Sequence, residues 1–118
     1  MQQYEATVTD LDNVTGIILE PKHLLEDILI DTDCKEIAEG ISKMFSDQSG
    51  AKYKVESSNN SYIVLGPNGP VFEVMTFDKK PPIYVRPHDE ISNGDEWLLS
   101  RAIANQYAER FNQPTIKN

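Results

Sequence analysis

The sequence predicts an α+β fold: an antiparallel sheet of four to six strands with two amphipathic helices packed on one face, in the order β-β-α-α-β-β-β-β-α. Three observations carry this. Several segments alternate apolar and polar residues with a period of two and are separated by tight turn signals. Two long segments repeat apolar residues at helical spacing. With 118 residues, 39% of them hydrophobic, the chain suits one domain with one core. Residues 1–118 are therefore expected to form a single compact domain, with a short flexible tail expected at 113–118, where Pro114 prevents a helix from continuing.

The first strand is YEATVTDL, with Tyr4, Ala6 and Val8 on one face and Glu5, Thr7 and Thr9 on the other. The turn DNVTG joins it to a second strand, GIILE. The stretch from Asp10 to Glu20 imitates a calcium-binding loop, but its spacing is broken. Counted from Asp10, Val14 and Thr15 occupy the fifth and sixth positions, Gly16 falls at the seventh, and Glu20 is one residue short of the bidentate twelfth. No metal is expected. PKHLLEDILI (21–30) reads as a short helix with Pro21 at its first position. After a break at Asp31–Asp33, Asp33 is placed to cap a second helix, with Glu36 completing a capping box. Its apolar face runs through Cys34, Ile37, Ala38, Ile41, Met44 and Phe45; Lys35, Glu39, Ser42, Lys43 and Ser46 take the other. Gly40 costs that helix about 1 kcal/mol relative to alanine, which points to close packing there.

AKYKVES, NSYIVLG and PVFEVMTF read as three strands, the last two joined by a turn centred on Asn68–Gly69. The prolines of DKKPP cannot donate to a ladder, so IYVR is expected as a short last strand near an edge. A final helix runs from SNGDEW to about Asn112, with Trp97, Leu99, Ile103, Ala104, Tyr107, Ala108 and Phe111 on its apolar arc. Leu98 and Ala102 fall on its polar side, and the short acidic helix at 21–30 is expected to face outward with Leu98.

Composition narrows the function. No apolar run reaches the roughly 20 residues a membrane helix needs, and the start of the chain is no signal peptide. A single cysteine forms no internal disulfide and suits a reducing compartment, so a cytoplasmic protein is expected. The chain has no Gly-x-Ser-x-Gly elbow, no His-x-x-x-His and no cysteine pair for zinc. Cys34 lies on an apolar helical face, where a buried inert thiol is the expectation. No enzyme and no cofactor are expected.

Charge is more informative. Residues 1–40 hold ten acids against Lys22 and Lys35, a balance equal to the net charge of −8 of the whole chain. An acidic third repels nucleic acid and anionic membrane and fits a basic protein partner. The expected function is therefore stoichiometric, non-enzymatic contact with such a partner, in the manner of an inhibitor, an immunity protein or a chaperone encoded by a phage or mobile element. Glu20, Glu26, Asp27, Asp31 and Asp33 are its candidate contacts. The alternative is a domain binding or sequestering a small molecule, a nucleotide for instance, through the loop at 86–101. Arg86, His88, Asn93 and Arg101 would serve there, although Asp95 and Glu96 occupy the positive end of the following helix. Self-association is compatible with either reading.

Overall fold

The computed structural model describes residues 4–11, 14–21, 27–59, 61–88, 91 and 94–112. The elements are β1 (Tyr4–Leu11), β2 (Val14–Pro21), α1 (Asp27–Ser49), β3 (Lys54–Ser58), β4 (Ser61–Gly66), β5 (Gly69–Phe77), β6 (Lys80–Pro87) and α2 (Gly94–Asn112). The strands form one antiparallel sheet in the order β1-β2-β6-β5-β4-β3. This is the expected α+β fold with two helices, and the strands follow in the expected order.

Alternation decides which side chains enter the core, because successive residues of a strand point to opposite faces. Tyr4, Ala6, Ile17, Leu19, Val64, Phe72, Val74, Ile83 and Val85 are buried and share the face covered by both helices. From α1 come Ile30, Cys34, Ile37, Ala38, Ile41, Met44 and Phe45, and from α2 come Ile103, Ala104, Tyr107 and Ala108. Phe45 anchors the middle, its ring 4.9 Å from Tyr53 and 6.0 Å from Phe72. Leu98 is exposed, as its position on the polar side of α2 requires. Phe111's side chain lies outside the described residues.

Several local expectations change. Pro21 does not open a helix; it ends β2, opposite Tyr4. Residues 22–26 lie outside the described residues, and helix is continuous from Asp27 through the expected break at Asp31–Asp33. Asp33 is no cap. It is buried, and its Oδ2 accepts a 2.6 Å hydrogen bond from the Tyr4 hydroxyl. Ser42, expected on the polar side, is buried as well. β6 is longer than IYVR and lies between β2 and β5 rather than near an edge. The prolines fit because β2 pairs with β6 only at Ile17, Ile18 and Leu19, opposite Val85, Tyr84 and Ile83, beyond Pro81 and Pro82. The β4–β5 turn is centred one residue earlier than expected, its last rung being Gly66 opposite Gly69.

Two glycines matter for different reasons. A Cβ on Gly66 would lie 2.3 Å from a ring carbon of Tyr53, so only glycine lets the β4 backbone pass that ring. Gly50 takes φ of +78° just past the end of α1, and its amide donates to Ser46 O at 3.0 Å, a left-handed helix stop. At the β5–β6 turn, Asp78 and Lys79 both have positive φ, 56° and 57°, without being glycine. Such residues cost about 1–3 kcal/mol each unless the surroundings hold them there.

Candidate functional site

Both helices cover one face of the sheet, and no described helix covers the other. On that open face the ladder sets Glu5 directly opposite Glu20, Thr7 opposite Ile18, and Ile18 opposite Tyr84. Tyr84 in turn faces Met75. Glu5 and Glu20 are exposed; Ile18, Tyr84, Met75 and Ile63 are half-buried by their neighbours. Phe77, 64% exposed, sets its ring edge-on to Tyr84 at 5.3 Å. Around this apolar centre run charged groups. Arg86 Nε donates to Glu73 Oε1 across the β5–β6 rung, and Lys54 pairs with Glu56 at 3.3 Å.

Glu5 and Glu20 are the unusual feature. Like charges directly opposite one another on a sheet are destabilising. Here the register leaves the two carboxylates side by side at the β1 edge, next to exposed apolar surface.

The acids singled out by charge are separated by the fold. Glu20 is on the open sheet face. Asp31 is exposed on α1, on the helix side of the sheet, and both its oxygens lie 3.1 Å from the Tyr62 hydroxyl, which donates to them. Asp33 faces the interior and takes the Tyr4 hydroxyl, so it belongs to the core rather than to any surface. Burial first, and then the acceptor Asp33, push the Tyr4 hydroxyl well above its ordinary pKa. Asp31 acts in the same direction on Tyr62, again after burial. Glu26 and the side chain of Asp27 lie outside the described residues.

The alternative cluster is not drawn into one pocket. Arg86 projects from the open face of the sheet, whereas Arg101 sits half-buried on α2, which packs on the other face. His88 follows β6 and is half-buried; its amide donates to Val71 O at 3.1 Å and its carbonyl accepts from Ile91 N at 3.2 Å. Asn93 lies outside the described residues. Within the first turn of α2, Glu96 is buried and accepts from the hydroxyl of Tyr53 at 2.9 Å and the amide of Asn68 at 3.3 Å. A carboxylate thus already occupies the positive end of that helix.

Among the described residues, no group of three or more histidines, cysteines or carboxylates is placed to hold a metal ion. No described helix is long and apolar enough to cross a membrane. No protein-family model, curated protein or solved structure matches the chain.

Proposed function

We propose that the protein acts by stoichiometric, non-catalytic contact with a basic protein partner, which docks on the open sheet face at β1, β2 and β6. The observation that carries this reading is the exposed Glu5–Glu20 pair, two like charges on one rung beside uncovered Ile18 and Tyr84. A lysine or arginine laid between the carboxylates relieves their repulsion, and the neighbouring side chains supply apolar area. An apolar centre inside a charged rim is the usual anatomy of a protein interface. The remaining surplus acids of the first third serve long-range attraction, which raises association rates and weakens with salt.

The test uses stability and binding together. Glu20→Lys sets a cation opposite Glu5 in place of a like charge and is expected to stabilise the fold by about 0.2–1 kcal/mol. The same change is expected to abolish capture of the partner from host extract, since like-charge contact across an interface costs several kcal/mol. The comparator is the triple reversal Glu26→Lys/Asp27→Lys/Asp31→Lys, near the start of α1. Partner capture that survives Glu20→Lys but is lost in the triple reversal would move the docking surface to α1. Capture that is insensitive to both variants and to salt would overturn the reading.

A further inference from the structure

Where the second turn of α1 crosses the ends of the β3–β4 and β5–β6 hairpins, the molecule holds a cavity of about 210 Å³. That is room for roughly seven waters at about 30 Å³ of liquid each. Its walls are mostly polar. Ser57, Tyr62 and Thr76 contribute hydroxyls, and Cys34 lies on the α1 side. Two charges of opposite sign line it, Asp31 from α1 and Lys79 from the β5–β6 turn.

Thr76 is the informative residue. It points to the helix side of the sheet, it is only 5% exposed, and it lines the cavity. A hydroxyl both donates and accepts, so Thr76 offers the cavity a neutral polar contact beside the two charges. Lys79 points the same way. It makes no ion pair with a described acid, and the turn holds it at a positive φ that favours glycine. Asp31 already receives the Tyr62 hydroxyl, but a carboxylate accepts about four hydrogen bonds, so it has capacity left.

We infer that this cavity binds a small zwitterion of amino-acid size, its carboxylate held by Lys79 and Thr76 and its ammonium by Asp31. The pairing of charges selects the class. A simple anion would face Asp31 and a simple cation would face Lys79, each without compensation, whereas a dipolar molecule satisfies both. The cavity lies on the helix side of the sheet, away from Glu5 and Glu20, so this inference and the docking proposal stand or fall separately.

The experiment is an NMR titration of the full-length, ¹⁵N-labelled protein with the standard free amino acids, and with ethanolamine and acetate as ammonium-only and carboxylate-only probes. At least one amino acid is expected to give saturable amide shifts confined to residues 30–34, 57–62 and 76–79, with ethanolamine and acetate at least about tenfold weaker. Lys79→Gln and Asp31→Asn are each expected to weaken that binding about tenfold or more without lowering the melting temperature, while Lys79→Arg retains it. Thr76→Val, nearly isosteric, is expected to weaken it several-fold. If that buried substitution unfolds the chain, the exposed Lys79→Gln still decides. No saturable shift with any amino acid at about 20 mM would show a cleft filled with water only and overturn the inference. Equal binding of ethanolamine or acetate would overturn it too, as would shifts centred elsewhere.

Discussion

Replacing Tyr4 by phenylalanine tests how the edge strand is fastened to the first helix. The Tyr4 hydroxyl donates to Asp33 Oδ2 at 2.6 Å, and the two residues are 1% and 4% exposed. Phenylalanine keeps the ring and nearly all its volume, so no cavity term enters. What is lost is a hydrogen bond to a charged group, with a net contribution of about 1.5–3 kcal/mol, and a buried carboxylate is left without that donor. We expect Tyr4→Phe to destabilise the fold by about 2–3 kcal/mol. Asp33→Asn retains an acceptor and is expected to cost less. The double variant should cost less than the two single changes combined, because both remove the same interaction. Urea unfolding is the assay. With a slope of about 1–3 kcal/mol per molar urea, the midpoint should fall by about 1 M or more while the slope stays constant. A Tyr4→Phe midpoint equal to that of the wild type would mean that Asp33 draws its stabilisation from elsewhere, and the fastening described here would be wrong.

Two glycine substitutions are expected to act in opposite directions. Gly66→Ala drives a methyl group into Tyr53, which the Phe45 ring and the bond to Glu96 hold in place; thermal unfolding should show a loss of about 1–3 kcal/mol. Gly40→Ala places its methyl at an ordinary 3.7 Å from Tyr107 and should gain up to about 1 kcal/mol. Burial pushes the Cys34 thiol from 9.0 up to about 12, with Asp31 and Asp33 adding to the effect, so native protein at pH 8 should label far more slowly than denatured chain with a thiol reagent. Burial likewise takes Tyr53 and Tyr107 from 10.0 up to about 12. Between pH 9 and 12 the unfolded chain therefore holds fewer protons than the folded one. The stability these groups contribute is complete below about pH 9 and should decline as pH rises toward 12, which melting curves across that window would reveal.

Period-two alternation together with turn signals marked out the strands, and helical spacing named six α1 core residues that the structure buries, from Cys34 to Phe45. What sequence could not supply were partners distant along the chain. Asp33 looks like a cap because short-range rules offer it nothing better; the Tyr4 hydroxyl, 29 residues away, gives it an interior role and lets the helix run through. β6 looks like an edge because of its prolines, and only the pairing with β2 places it inside the sheet. The acids of the first third look like one surface as a list, yet folding sends Glu20, Asp31 and Asp33 to three different environments. The Glu5–Glu20 rung was within reach. A connection of two residues at 12–13, rather than the longer turn read from DNVTG, puts those positions opposite each other.

The three rungs between β2 and β6 join parts of the chain more than sixty residues apart, whereas every other pair of neighbouring strands is a local hairpin. Closing that junction carries most of the loop-closure cost of the sheet, so hairpin and meander are expected to form early and meet late. When the junction parts, Ile83, Tyr84 and Val85 present a bare, apolar strand edge, and the β1–β2 hairpin is free to pair with the same edge on a second molecule. An exchanged dimer is the natural error of this topology. Glu5 and Glu20 ride on the travelling hairpin, and their charge sets two such hairpins against each other. The rung that weakens the monomer thereby also discourages its hairpins from stacking into larger aggregates.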